Sequence, residues 1–244
     1  MRILLLFALL FLGQASAADL RILSAGAVES GLHPVLAAFE KRTGYHVEVT
    51  FNTTPQIQKR VAAGEAFDIV IAPPKATEEF VAAKSVEAGG MTLGRVGVGV
   101  AVRPGAPMPD LASTDAFKRA LHEADSIVFN RASTGLYLEN AFKKLGVWNE
   151  VEPKATRYAD GVGVFDHVLK GKGREIGFGA MTEILLYKEK GLVFAGPIPA
   201  EVQNYTSYVA SATTGGRNAA AARELVAFLG NADSKKVFAA AGIE

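Results

Sequence analysis

Cysteine is absent from this chain, which removes both a disulfide framework and any thiolate metal site. Histidine is scarce. His33, His46, His122 and His167 include no pair four residues apart, so a metal centre is not expected. No G-x-S-x-G elbow occurs, which disfavours a serine hydrolase. Charge of one sign is missing too: 26 Lys and Arg against 25 Asp and Glu leave a net +1, far from the basic balance of a nucleic-acid binder. Cofactor loops are lacking as well. Gly97 and Gly99 do not sit between a strand and a helix, and Gly171-Lys172-Gly173-Arg174 has the glycines of a phosphate loop without its spacing. Close packing within a strand and an exposed turn account for them, so no cofactor is expected.

Long apolar runs are confined to the start. Arg2, the stretch Ile3–Leu12 and Ala15-Ser16-Ala17 form the charged, apolar and small-residue parts of an export signal. The run is shorter than the roughly 20 residues a spanning helix needs. Cleavage after Ala17 is expected to leave a periplasmic protein beginning at Ala18, and losing Arg2 makes that chain formally neutral. Of the 244 residues, 49% are hydrophobic and 21% charged, the balance of a well-cored globular protein of one large domain or two lobes.

What is present is a strand–loop–helix unit, used twice. In Ser126–Gly146 the apolar run Ser126–Phe129 predicts a buried strand, and Asn130–Gly135 a polar loop. Leu138, Ala141, Phe142 and Leu145 recur with helical spacing, and Gly146 ends the helix. Asp19–Gly44 repeats the plan. Leu20–Leu23 is its strand and Ser24–Ser30 its small-residue loop, and its helix carries Leu32, Val35, Leu36 and Phe39. Pro34 tolerates only a first turn, so the regular helix is expected from Ser30–Gly31. A loop opening a helix presents unpaired N–H groups and a positive dipole end, which is a seat for an anion, whereas Ser133 or Thr134 as plain helix caps is the competing account.

Elsewhere Val47–Phe51 reads as a strand, followed by a helix with Thr54 as N-cap and Pro55 at its first position. Phe67–Ala72 and Leu93–Arg103 are strands, Thr77–Ala83 and Asp115–Ala124 helices. Further helices are expected from Val164 to Leu169, Thr182 to Lys190, Arg217 to Leu229 and Asp233 to Ala241. Strands are expected over Lys154–Tyr158, Ile176–Gly179, Leu192–Phe194 and Ser207–Ala212. The alternation predicts an α/β protein with mostly parallel sheets. Breaks near Arg103 and Gly196 divide it into lobe I, Ala18–Val102 plus Asn204–Glu244, and lobe II, Arg103–Gln203, joined by two crossover segments. A ligand is expected between them, beyond the carboxyl ends of the strands. The donors Thr54, Arg95, Arg131, Ser133, Thr134 and Gly135 suit holding an anion.

The stretches LRILSAGAVESGLHPVLAAFEKRTG, VTFNTTPQIQKRVAAGEAFDIVIA and STGLYLENAFKKLGVW resemble bacterial periplasmic solute-binding proteins of the molybdate-binding type, over nearly all of the mature chain. The resemblance implies a type II periplasmic-binding fold, a monomer that closes on a small anion and delivers it to the permease of an ABC importer. It places Ala27 where those binders offer a serine hydroxyl, keeps Thr54 in the second loop, sets Thr134 at a backbone-donor position and Gly161 at the fourth position. Ala180 stands where a tyrosine is expected. Two hydroxyls are thus missing while Arg95 and Arg131 are added, which favours an organic anion with one or more carboxylates over molybdate. A divergent branch of the family, marked by a G-R or R-S-G pattern before the crossover strand, also resembles the chain and includes proteins similar to aconitate isomerase. An isomerase of a small polycarboxylate would need a base, for which Glu183, His33 and Tyr205 are the candidates.

Overall fold

A computed structural model describes residues 19–244, so the expected signal segment Met1–Ala17 lies outside the described residues. The chain opens with β1 (Asp19–Ala25), a 3-10 turn (Gly26–Val28), α1 (Glu29–Thr43), β2 (His46–Asn52), α2 (Thr54–Ala62), β3 (Ile69–Ala72), α3 (Pro74–Ala82) and β4 (Met91–Val102). The second lobe holds α4 (Thr114–Glu123), β5 (Ser126–Asn130), α5 (Ser133–Lys144), α6 (Trp148–Val151), β6 (Ala155–Tyr158), α7 (Gly161–Lys170), β7 (Glu175–Ala180), α8 (Met181–Leu186) and β8 (Val193–Pro197). β9 (Tyr205–Ala212), α9 (Ala219–Leu229) and α10 (Ala232–Ala240) complete the first.

Local rules explain most of these elements. Helix α1 buries Leu32, Val35, Leu36 and Phe39 on one stripe and stops at Gly44, whose φ of 76° is the left-handed conformation glycine adopts without strain. It begins at Glu29, a little ahead of the Ser30–Gly31 start expected from Pro34, because the preceding 3-10 turn leads directly into it. The short α6 escaped the sequence pattern, since one helical turn is too short to show periodicity.

The strands pair in the order β2-β1-β3-β9-β4-β7-β5-β6, with β8 also on β4. Pairing is parallel toward both ends, where β1 meets β2 and β3 and β5 meets β6 and β7. It is antiparallel in the middle, where β9 meets β3 and β4, and β4 meets β7 and β8. The expectation of mostly parallel sheets is therefore corrected at the centre. Parallel neighbours need a helical crossover between them; β4 and β9 pass between lobes without one and enter each sheet in the opposite sense.

β4 changes partners between Gly97 and Val98. Met91–Gly97 pairs with β9, and Val98–Ala101 with β7. Gly97 and Gly99 fit the close packing read from sequence, since a Cβ on either would come within 2.8 Å of Met181 or Phe194. The Arg103–Pro107 break follows the end of β4 rather than the change of partner. The second expected break is likewise a strand: Gly196 and Pro197 pair with Val100 and Gly99 across an irregularity in register. An edge strand tolerates a residue without an N–H and an irregular register.

Three sets of apolar contacts hold the lobes. Ile22, Leu36, Phe39, Ile71, Leu225 and Phe238 belong to the first. In the second, Phe117, Phe129, Phe142 and Phe178 sit ring against ring with centroids 5.8–6.3 Å apart, the tilted geometry aromatic quadrupoles prefer. Helix α8 touches both lobes, burying Ile184 beside Val164 and Phe165 while the Thr182 hydroxyl donates to the Ala27 carbonyl at 2.6 Å.

Candidate functional site

A cavity of about 180 Å³ opens between the lobes. Its first-lobe wall comes from Gly26 and Glu29, from Asn52 at the carboxyl end of β2, and from Thr53 and Gln56 at the start of α2. Its second-lobe wall comes from Asn130 at the carboxyl end of β5, from Asp160 and Gly161 at the start of α7, and from Glu183 and Tyr187. Both walls are thus strand ends running into helix starts, the place where open α/β sheets collect ligands.

The start of α2 sits one residue earlier than the sequence suggested. Thr53, not Thr54, precedes the helix, and Gln56 Oε1 accepts the Thr53 N–H at 2.8 Å and the Thr53 hydroxyl at 2.9 Å. The Thr-x-x-Gln spacing decides this, because it lets one amide tie the entry of the helix. Thr54 is left free of capping, and its hydroxyl accepts from the Ser133 hydroxyl at 3.3 Å. That contact joins the first residue of α2 to the first residue of α5 and spans the cleft.

The loop before α5 is built on Asn130, which is buried. Its Oδ1 accepts from the Ala132 N–H at 3.0 Å and the Gly135 N–H at 3.1 Å. Any Cβ at Gly135 would overlap the Asn130 carbonyl, so glycine is required there by close approach. The chain thereby fills part of its own anion seat, while the amides of Ser133 and Thr134, as first helical residues, have no partner within the helix. Ser133 is exposed and Thr134 half-buried. Arg131 is exposed too, and its backbone N–H donates to the Tyr158 carbonyl at 2.8 Å.

Glu183 lies where the two walls meet. A Cβ built on Gly26 would stand 2.8 Å from one of its carboxylate oxygens, and a Cβ on Gly161 3.2 Å from the other. Two glycines, one per lobe, leave room for a single carboxylate. Burial pushes the Glu183 carboxyl up to about 7; the Ala180 backbone N–H favours the charged form, while the nearby Glu29 and Asp160 disfavour it. The Tyr208 phenol is raised by burial and then by the Glu183 charge. Asp160 itself caps α7, accepting from the Gly163 N–H at 3.1 Å, and Glu29 stands 3.6 Å from His33 Nε2.

Of the residues expected at the site, Gly161 lines the cavity, and Thr54 and Ser133 meet across the cleft. Thr134 and Gly135 belong to the α5 start around Asn130. Ala27 is buried behind Gly26, and Ala180 is buried at the start of α8. Arg95 lies outside the cavity: its backbone pairs with Glu244 at 2.7 and 3.0 Å, its guanidinium stands 3.8 Å from the Glu244 carboxylate and 4.4 Å over the Tyr205 ring. Among the candidate bases, Tyr205 is therefore occupied beneath Arg95, and the His33 side chain is 61% exposed against Phe51. Glu183 alone of the three lines the cavity. Sequence reasoning missed Gly26, Glu29, Asn52, Thr53, Gln56, Asn130 and Asp160 as wall residues. Asn52 and Asn130 carried a usable signal, both being the polar last residue of a strand that runs into a helix. Among the described residues, no group of three His, Asp or Glu is arranged to hold a metal, and no helix is long and apolar enough to cross a membrane.

Comparison with known proteins agrees with this architecture. A family model described as bacterial extracellular solute-binding protein matches residues 20–244. A protein named aconitate isomerase, from a Pseudomonas species, is 30% identical over 233 residues, covering 92% of this chain and 87% of its own. The periplasmic molybdate-binding protein of Azotobacter vinelandii superposes with a TM-score of 0.75 at 16% identity, over 92% of this chain and 98% of that one. A sulfate-binding protein of Mycobacterium tuberculosis does so at 0.74 and 18%, over 92% and 86%. At such identities the likeness is one of fold.

Proposed function

This chain belongs to the bacterial extracellular solute-binding protein family, and we propose that it receives a small organic acid in the cleft between its lobes, as the periplasmic receptor of an ABC importer. The observation that carries this reading is the make-up of the cavity wall: the neutral polar groups of Asn52, Thr53, Gln56 and Asn130 from both lobes, with the carboxyl groups of Glu29, Asp160 and Glu183 among them. Helix starts attract negative charge. A fully ionised oxyanion such as molybdate would face Glu29, Asp160 and Glu183. A carboxylic acid can instead share a proton with Glu183 through a short charge-assisted hydrogen bond. The support for an organic anion thus shifts from Arg95, held by the C-terminus, to the chemistry of the cleft. Molybdate and tungstate are the competing ligands, since binders of such oxyanions share the fold.

A thermal-shift panel separates them, because a ligand at 100 times its dissociation constant stabilises by about 2.7 kcal/mol. Di- and tricarboxylates should raise the midpoint while molybdate, tungstate and sulfate leave it in place. The opposite pattern would overturn the organic-acid reading. A second reading is favoured by the aconitate isomerase relative together with the position of Glu183: the same cleft isomerises the acid it binds.

A further inference from the structure

We infer that Glu183 is the catalytic acid-base of a 1,3-proton shift, taking a proton from a methylene carbon of a bound unsaturated polycarboxylate and returning it two carbons away. This deepens the isomerase reading and rests on an organic acid occupying the cleft. In the first half-step a C–H bond beside both a carboxyl and a double bond breaks, and an O–H bond forms on Glu183. The electron pair enters the allylic system. In the second, the O–H bond breaks, a C–H bond forms at the far carbon of the former double bond, and the double bond moves one place. Atoms and electrons balance without an oxidant or a second reactant.

The geometry singles out Glu183 among the acids of the cleft. Asp160 is committed to the Gly163 N–H and Glu29 stands by His33. The Glu183 oxygens are flanked by Gly26 in one lobe and Gly161 in the other, so the carboxylate sits between both backbones in the cavity wall. The negative charge that develops on the allylic carboxylate then lies near the first turn of α7, whose Gly161 lines the cavity beside Glu183, a donor end fixed before reaction begins. A group that takes a proton and then returns it works best with a pKa near the working pH. The groups facing Glu183 set that balance: Glu29 from α1, Asp160 from α7 and burial raise its carboxyl to about 7 against the pull of the Ala180 N–H, and Tyr208 faces it from β9.

The test is to incubate the full chain with trans-aconitate in deuterium oxide, following double-bond migration and carbon-bound deuterium by NMR and binding by calorimetry. The wild type should form cis-aconitate with deuterium at the exchanged carbon, along a rate limb near pH 7. Glu183→Gln should bind trans-aconitate within about tenfold of wild type while its rate falls by about 100-fold or more, the range general acid-base groups contribute. Should Glu183→Gln also lose binding, Glu183→Asp decides: retained binding with a slower rate and a displaced pH limb supports the role, and an unchanged rate and limb overturn it. A wild type that binds without migration or exchange overturns the proton-transfer role and leaves the binding reading standing. A wild type that binds no polycarboxylate overturns both.

Discussion

Glu183 combines a half-buried position in the cleft wall with two carboxylate neighbours, and stability should register this directly. Its carboxyl is held near 7 in the fold against 4.5 in the unfolded chain, so the folded state binds the proton more tightly. The stabilisation is fully present below pH 4.5 and is lost as pH rises through 7, a difference on the order of 3 kcal/mol since each pKa unit is about 1.4 kcal/mol. Glu183→Gln keeps the shape and removes the charge. Subtracting its melting profile from that of the wild type should leave a slope confined to pH 4.5–7; a flat difference would show that water reaches the carboxyl freely. Arg95 makes the contrasting point. It is a donor of the right kind, yet its exposed pairing with Glu244 is worth at most about 1 kcal/mol and fastens a terminus rather than a ligand.

The strand–loop–helix unit of β5 and α5 is organised by a side chain that the expected donors conceal. Asn130 Oδ1 holds two backbone amides, and no other residue of the loop replaces it. Asn130→Ala strands those amides without an acceptor, and such a loss costs about 1–3 kcal/mol. Urea unfolding should show that drop in midpoint at unchanged slope, with ligand affinity falling as the α5 start loosens. Stability equal to wild type would mean that water or the ligand takes over the amides. The contrast with α2 is instructive: there Thr53 and Gln56 do the capping, which leaves Thr54 available to the other lobe.

Across the molecule, β4 and β9 carry the chain between lobes, and α8 and the Ser133–Thr54 contact touch both sides of the cleft. A ligand between the walls gains contacts with both only when they approach, and it shifts the population by its differential affinity for the closed form. Small-angle scattering should therefore show a smaller radius of gyration with saturating ligand than without. Ser133→Ala removes a contact that joins the starts of α2 and α5 across the cleft. It should weaken binding roughly 2- to 10-fold, the worth of a 0.5–1.5 kcal/mol hydrogen bond, and leave the unliganded melting temperature unchanged. An unaltered calorimetric affinity would mean the lobes close without that contact.

The succession of elements, their amphipathic faces and their glycine stops were legible from the sequence, because alternation along a strand and the 3.6-residue period of a helix are properties of neighbours in the chain. Leu32, Val35, Leu36 and Phe39 face the core as their spacing requires. Family membership followed the same local motifs. What needed the tertiary structure is every relation between distant residues. Arg95 is claimed by Glu244, 149 positions away in the sequence numbering, and the Glu183 carboxylate is flanked by Gly26 and Gly161. The antiparallel centre of the sheet arises the same way, from strands passing between lobes. A side chain's type declares which bonds it can make, whereas which groups reach it, and how much water remains around it, is decided only when the two lobes face each other.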